Sequence, residues 1–553
     1  MIQTKLVSSL QKCFPDERPE QFRTLDRISM LRNERLFFQL LILADQTEPD
    51  FRIQLHPELH GALSPYCSLR TVEQVPVSLP APEHPDDNYL RTEPGLYPDV
   101  LGPLHYHESV IVARGQLRTV WVELDPKGEI PGGSYETTLT LTDESGVLVA
   151  SERLTVEIID ADLPEQTMLL TQWFHCDCLA NQYHCEVWSE EHWRIIESFL
   201  RVAVRNGINL ILTPVHTPPL DTAVGGERLT TQLVDVTSEN GTYTFGFDRL
   251  DRWIDLCNRV GIRYFEIAHL FTQWGAEHAP KIMATENGVY KKIFGWETDA
   301  TGASYVAYLR AFLTAFLSHM KARGDDHRCF FHISDEPNEN QLASYRAAKE
   351  TVADLLEGYP VIDALSDLSF YQSGVTETPI PASDVVSDFI RAGVPGLWTY
   401  YCCCQTKDVS NRMIAMPLWR TRSIGMQFYK YDIVGFLQWG YNFYNNRHSV
   451  DAINPYLDVC GEYWVPGGDT HSVYPAPDGS ALESVRICSF YEALQDCRAM
   501  KLAERYYGKE AVVAELERLF GGEIRFDRCA KDEKTLFFLR ERINELIRDA
   551  CKK

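Results

Sequence analysis

Residues 328–337, Arg-Cys-Phe-Phe-His-Ile-Ser-Asp-Glu-Pro, decide how the rest of the chain is read. The apolar run Cys329, Phe330, Phe331, Ile333 has the length and composition of a buried strand, and it stops at two adjacent carboxylates and a proline. Asp335 and Glu336 therefore stand where a strand gives way to a loop, the edge on which barrel folds mount their catalytic groups. Neighbouring side chains on a strand point to opposite faces, so both acids serve one site only if the backbone bends there. Pro337 cannot donate to a sheet and pushes Glu336 toward an extended conformation, which suits such a bend. The bland alternative is that Asp335 or Glu336 caps a helix starting near Asn338.

From about residue 165 strands and helices alternate. Strands are expected at Met168–Phe174, Ile208–Thr213, Tyr264–His269, Cys329–Ile333, Pro360–Ala364, Leu397–Tyr401 and Ile433–Gln438. Between them the periodicity predicts helices at Glu190–Arg205, Arg249–Val260, Ser304–Arg323, Glu339–Leu356, Ala382–Ala392 and Pro417–Tyr429. Such alternation over this length predicts a parallel sheet closed into a (β/α)8 TIM-like barrel, with an eighth strand expected near Val485–Ile487. Upstream, Leu36–Leu43, Val75–Leu79, Leu117–Leu124, Tyr135–Thr142 and Leu154–Ile159 are short strand-like runs separated by turn clusters, the pattern of an antiparallel β-sandwich. Downstream, Phe490–Tyr506, Glu510–Leu519 and Asp532–Cys551 are helical and mixed in charge, expected to pack on the barrel's exterior. The expected division is a β-sandwich over 1–163, a catalytic barrel over 164–487 and a helical extension over 488–553.

A net charge of −25 argues against nucleic acid or an anionic membrane as partner, since both need basic surfaces. The N-terminal residues lack the apolar core of a signal peptide, and no apolar run is long enough to span a bilayer. Fifteen cysteines without regular spacing, three of them consecutive at Cys402–Cys404, fit reduced thiols in a cytoplasm better than a disulfide framework.

The C-terminal ends of the expected strands carry polar and aromatic groups. Trp173 and His216 come first, then His269 and Trp274, and His332 precedes the acid pair. Trp398, Tyr400, Trp439 and Asn442 follow on the later strands. Aromatic platforms beside carboxylates suit a sugar, whose C–H faces stack on rings while its hydroxyls bond to acids and amides. For any single aromatic, ordinary core packing is the simpler account; recurrence at several strand ends favours a site. A retaining glycosidase of the usual kind needs two carboxylates about 5–5.5 Å apart. The late strand Val434-Gly-Phe-Leu-Gln-Trp-Gly, where a second acid is expected, ends in Gln438 and Trp439 instead. The chemistry closes if the substrate's 2-acetamido oxygen is the nucleophile, with one acid protonating the leaving oxygen and another orienting the acetamido group.

Ser334-Asp-Glu-Pro, Gly396-Leu-Trp-Thr-Tyr-Tyr, Gly435-Phe-Leu-Gln-Trp-Gly-Tyr-Asn-Phe-Tyr, Tyr474-Pro-Ala-Pro-Asp-Gly and Ser484-Val-Arg-Ile-Cys-Ser-Phe-Tyr-Glu-Ala-Leu-Gln-Asp resemble glycoside hydrolase family 123 and the broader group described as domain of unknown function 4091. The resemblance covers most of residues 165–507. It implies a retaining, exo-acting β-N-acetylhexosaminidase of the β-N-acetylgalactosaminidase type, using substrate-assisted catalysis on a small glycoside or oligosaccharide. By position, Glu336 matches the family's general acid/base and Asp335 the carboxylate that orients the acetamido group. No metal or other cofactor is called for.

Other readings compete. His175-Cys-Asp-Cys178 with His184-Cys185 gathers metal-ligand types but matches no standard four-ligand spacing, and His105-Tyr-His107 lies in the β-rich part. A separate carboxylate nucleophile would be Glu266 or Asp177, and a non-catalytic carbohydrate-binding protein would keep the cleft without turnover. Cys402–Cys404 has no histidine base that the sequence places nearby, so ordinary buried thiols are expected there.

Overall fold

Leu36–Ala44 is buried along its whole length, which explains why it reads as a continuous apolar run and not as an alternating one. The computed structural model, which describes residues 1–552, places it inside a five-stranded sheet ordered Ile2–Ser8, Leu36–Ala44, Leu117–Leu124, Cys67–Val77, Gly95–Pro103, antiparallel throughout. One face of Leu36–Ala44, with Phe38, Leu40 and Ile42, joins the main hydrophobic cluster; the other, with Leu41 and Leu43, packs on Val7, Cys13 and Leu117. A second five-stranded sheet runs Arg27–Leu31, Leu148–Ile159, Gly133–Thr142, Arg52–His60, Val110–Ala113. Its Leu139, Leu141, Leu154 and Val156 belong to that same main cluster. One pairing departs from the antiparallel expectation: Arg27–Leu31 lies parallel to Leu148–Ile159.

After residue 165 eight short strands pair in parallel, beside an antiparallel-edged sheet of Thr242–Gly246, Asp235–Glu239, Ile282–Glu286 and Val289–Phe294 and a hairpin of Val473–Pro475 with Ala481–Glu483. Gly435–Gln438 pairs with both Trp398–Tyr400 and Leu169–Gln172. Leu210–Thr213 follows next to Leu169–Gln172, tied by Asn209, whose N–H donates to Leu170 O (3.1 Å) and whose Oδ1 accepts from Leu170 N (2.9 Å). Tyr264–Ile267 and Cys329–Phe331 come next. A bridge between Phe331 and Val361 leads to Ile362–Ala364, which pairs with Thr378–Ile380. A bridge between Ala382 and Tyr400 returns to Trp398–Tyr400. Of the eight parallel strands in this series, seven lie where the apolar runs placed them. The eighth is Thr378–Ile380, not Val485–Ile487. Residues 485–487 open the helix Val485–Tyr507, whose N-cap Ser484 accepts from Ile487 N at 3.2 Å. The boundary expected at 487/488 therefore falls inside a helix.

Most connecting helices follow the expected pattern, but Ala382–Ala392 is helical only over Val386–Arg391, and Pro417–Tyr429 is two short helices, Leu418–Arg422 and Ile424–Lys430. Glu190–Arg205 begins at the cap Ser189, and Ala303–Arg323 buries Tyr305, Tyr308, Leu309, Phe312, Leu313, Phe316, Leu317 and Met320 before stopping at left-handed Gly324. Glu339–Leu356 is shorter than expected, a helix only over Leu342–Glu350 after a turn at Glu339–Gln341. Val485–Tyr507 is not an exterior helix. It is buried around most of its circumference, and its buried charges are paired: Arg486 to Asp99, and Glu492 and Asp496 to Arg422. The last helix, Glu533–Cys551, binds back on the N-terminal strands through Asn544 to Ser29, Arg540 to Glu34 and Arg548 to Glu157. Glu123 and Glu483, both buried, are shared by Arg35, Arg70 and Arg205, which locks the first sheet to the parallel-strand region. No helix among the described residues is long and apolar enough to cross a membrane.

Candidate active site

The chain bends at the acid pair, though by a different conformation than proline was expected to impose. Glu336 is left-handed, φ 44°, and not extended. Both sides of the bend are clamped. Ser334 Oγ donates to Thr272 O at 2.8 Å, Trp274 N to Asp335 O at 2.9 Å, and Glu336 N to Ala364 O at 2.9 Å. Neither acid caps the following turn; Asn338 does, its side chain accepting from Asn340 N.

Both carboxylates reach one cavity, walled by Trp173, Trp274, Tyr400, Trp439, Phe443 and Trp464. Tyr400 donates its hydroxyl to Glu336 Oε1 at 2.7 Å. Trp439, Phe443 and Trp464 form an aromatic cluster with ring centroids 5.0–6.2 Å apart. Trp439 Nε1 is anchored on Asp469 at 2.9 Å. Asp335 is half-buried, and Glu336 opens to the cavity. Loss of hydration between these walls raises the proton affinity of both, and repulsion from Glu336 raises that of Asp335 further. The Tyr400 hydrogen bond works the other way on Glu336. An acid pair of this kind retains a proton above the ordinary carboxylate range, which a general acid needs.

Beneath the pair lies a dry ionic layer. His332 is fully buried between Glu266 (Nε2 to Oε1, 2.6 Å) and Asp363 (Nδ1 to Oδ1, 3.1 Å). Burial alone would strip its proton, but the two carboxylates outweigh that and lift its pKa to about 9. Both ring nitrogens then donate, as an imidazolium. Asp363 also accepts from Ile333 N and from Tyr345 Oη (2.5 Å), while Glu266 also accepts from Trp173 Nε1 (2.7 Å) and Thr171 Oγ1 (2.5 Å). His269 stacks on His332, centroids 4.1 Å apart, with neither nitrogen hydrogen-bonded; burial and then the adjacent charge hold it neutral.

The residues expected to bind substrate separate into two groups. Trp173, Trp274, Tyr400 and Trp439 line the cavity. His216, His269, His332, Trp398 and Asn442 are buried outside its lining. His216 faces His269 O at 2.7 Å, Trp398 packs inside the parallel strands against Gly435, and Asn442 exchanges two hydrogen bonds with the His175 backbone. A strand-end position makes a polar side chain available to a site, but the inward face of a short strand can also use it as core.

Cavity-lining groups that sequence reasoning passed over include Asp221, Gln273 and Trp464. Asp221 has one buried oxygen without a partner, and desolvation, opposed by Arg228, lifts its pKa to about 6. Its left-handed backbone (φ 45°) in a loop gave no periodic signal. The Cys402–Cys404 thiols also differ from expectation: all three line the cavity, and Cys404 is exposed. His175 accepts at Nδ1 from Arg228 (3.1 Å), so its Nε2–H donates to Trp439 O (2.9 Å) and the ring is neutral, its pKa lowered to about 3 by burial and then by Arg228. Asp177 is paired to Arg228 through both oxygens. Groups close enough to share a metal are His269 with His332 and Asp363, and the three consecutive cysteines. In the first, both His332 nitrogens are already engaged.

An acid pair at a strand end, opening into an aromatic-walled cavity, is the equipment of a glycoside hydrolase. The sequence model for the catalytic domain of glycoside hydrolase 123 matches residues 173–503, more than half of the chain, and the chain belongs to that family. A family 123 glycoside hydrolase from Clostridium perfringens, studied for glycolipid glycan hydrolysis, has a similar structure: TM-score 0.73 at 14% identity, over 100% of this chain and 97% of that one. A β-glucuronidase from Bifidobacterium dentium reaches a TM-score of 0.33 at 10% identity, over 89% of this chain and 66% of its own, too slight a likeness to bear on the fold. No curated protein matches in sequence.

Proposed function

We propose that this glycoside hydrolase is a retaining, exo-acting β-N-acetylhexosaminidase of the β-N-acetylgalactosaminidase type. Its substrate's 2-acetamido oxygen attacks the anomeric carbon. Glu336 gives its proton to the departing glycosidic oxygen, then takes one from the water that opens the cyclised intermediate. Asp335 accepts the acetamido N–H and balances the positive charge that develops on the ring. The Trp439–Trp464 wall stacks on the sugar. In the same reading the eight parallel strands form a (β/α)8 barrel, and the two N-terminal sheets form a β-sandwich over residues 1–163.

The observation that carries this reading is where the other acids lie. Gln438 ends the late strand, Glu266 is bound to Trp173, Thr171 and His332, and Asp177 is bound to Arg228. That leaves the adjacent pair, with Asp221 the remaining carboxylate among the cavity-lining residues. Asp221 supports a second reading, a glycosidase with a separate nucleophile, because one of its oxygens has no partner. Fifteen unpaired cysteines support a reducing, cytoplasmic setting.

A panel of p-nitrophenyl glycosides, α and β, with and without the 2-acetamido group, tests the proposal. The expected result is release from β-2-acetamido sugars alone, inhibited by a thiazoline analogue of the cyclised intermediate. Equal release from 2-hydroxy sugars, abolished in Asp221→Asn, would transfer the nucleophile's role to Asp221. No release from any sugar while glycan binding persists would identify a carbohydrate-binding protein.

A further inference from the structure

Three thiols share the cavity with the acid pair, and proton transfer to a sugar gives them no task. Cys402, Cys403 and Cys404 leave the strand Trp398–Tyr400, whose last residue holds Glu336. Their backbone is fixed at three points: Cys402 N donates to Gln405 Oε1 (2.9 Å), Cys402 O accepts from Asn411 Nδ2 (2.8 Å), and Cys403 N donates to Asp469 Oδ2 (2.9 Å). The three sulfurs lie within 4.8 Å of one another, and those of Cys403 and Cys404 are 4.0 Å apart. Sulfurs placed about 2.3 Å from a tetrahedral zinc-class ion are about 3.8 Å from each other. The trio is thus near coordination spacing before any ion arrives, and its pinned backbone lowers the ordering entropy that binding would otherwise cost.

We propose that Cys402, Cys403 and Cys404 bind one thiophilic d10 cation of the zinc class on the wall of the substrate cavity, and that occupation obstructs the site. Thiolate sulfur selects such ions over magnesium or calcium, which take hard oxygen ligands. On binding, three S–H bonds break, three metal–sulfur bonds form and three protons pass to solvent; a water on the cavity side completes the tetrahedron. The ion then sits in the cavity that also holds Glu336 and Tyr400. Binding stands independently of the hydrolase reading, whereas the obstruction rests on it.

The test uses the full-length reduced chain, stripped with chelator and titrated with Cd²⁺ alone, following the ultraviolet thiolate-to-cadmium charge-transfer band, with Zn²⁺ as competitor. One Cd²⁺ per chain is expected, displaced by Zn²⁺. Cys403→Ser and Cys404→Ser should each weaken binding by roughly tenfold or more, with melting curves confirming that the variants fold. Cys551→Ser, at the exposed end of the last helix, should leave binding unchanged. Zn²⁺ should inhibit wild-type hydrolysis reversibly and inhibit Cys403→Ser much less. Absence of stoichiometric Cd²⁺ binding, or binding that survives joint replacement of all three cysteines, overturns the proposal. If no glycoside is turned over, the titration still decides the metal site.

Discussion

Replacing His332 by glutamine removes the positive charge that lies beneath the acid pair. His332 keeps its proton to about pH 9, against an ordinary 6.5, because Glu266 and Asp363 outweigh its burial. At 1.36 kcal/mol per tenfold change in proton affinity, that is worth about 3 kcal/mol of folding stability. The folded-state pKa is raised, so this stability is fully present below pH 6.5 and is lost as pH climbs through about 9. Glutamine carries no such charge. The wild type's stability relative to the variant should therefore be about 3 kcal/mol more favourable near pH 6 than near pH 10. With an unfolding entropy of about 2.1 cal/mol/K per residue over a cooperative unit of roughly 300–550 residues, the gap in melting temperature changes by about 3–5 °C. Differential scanning calorimetry of both proteins at the two pH values measures it, and the difference cancels titrations common to both. The cation also favours the ionised form of Asp335, so His332→Gln should move the acidic limb of the kcat/KM profile to higher pH. An equal melting gap at both pH values, or one that shifts in the variant's favour toward pH 6, would refute the buried imidazolium.

Glu336→Gln should lower kcat by about 10²–10⁴ on substrates with poor leaving groups and less on aryl glycosides, measured by steady-state kinetics; full turnover would remove Glu336 from the reaction. Tyr400→Phe takes away a hydrogen bond that favours the ionised form of Glu336, so the basic limb of kcat/KM should move to higher pH, and a move the other way would contradict that assignment. In the wild type that limb should itself lie above pH 4.5, since desolvation raises Glu336 from that value. Trp439→Ala removes a stacking wall worth about 1 kcal/mol, so KM should rise roughly fivefold with kcat less affected; an unchanged KM would mean the sugar does not rest there.

Much of the parallel-strand region is legible because buried strands are short apolar runs ending in polar residues. Thr378–Ile380 escaped because Pro379 and Pro381 suppress the strand signal, although Pro381 O still accepts from Tyr400 N at 3.1 Å. Val485–Ile487 misled because three residues carry no period; only the cap Ser484 and the buried turns after it reveal a helix. That Asp335 and Glu336 face one cavity was legible from their place at a strand end. The layer beneath was not, because Asp363 is one carboxylate in the brief apolar strand Ile362–Ala364, and its partner His332 lies 31 positions earlier. Cys402–Cys404 looked like core because thiols usually are, whereas their bend after Tyr400 turns them toward the cavity.

Adjacent residues on a strand diverge, so a site built on Asp335 and Glu336 depends on one unusual backbone angle. A left-handed conformation at a residue with a side chain costs about 1–2 kcal/mol. Glycine would avoid that cost but would delete the acid. The bend is held from neighbouring segments on both sides: Trp274 N bonds Asp335 O, Glu336 N bonds Ala364 O, and Ser334 Oγ bonds Thr272 O. At about 1 kcal/mol each, three such bonds suffice to offset the strain. Pro337 follows without an N–H that the turn would have to satisfy. Two carboxylates mounted on different strands would drift apart whenever those strands shifted. Here the spacing is fixed within a dipeptide, so breathing of the surrounding strands moves both acids together and leaves their relation to each other intact.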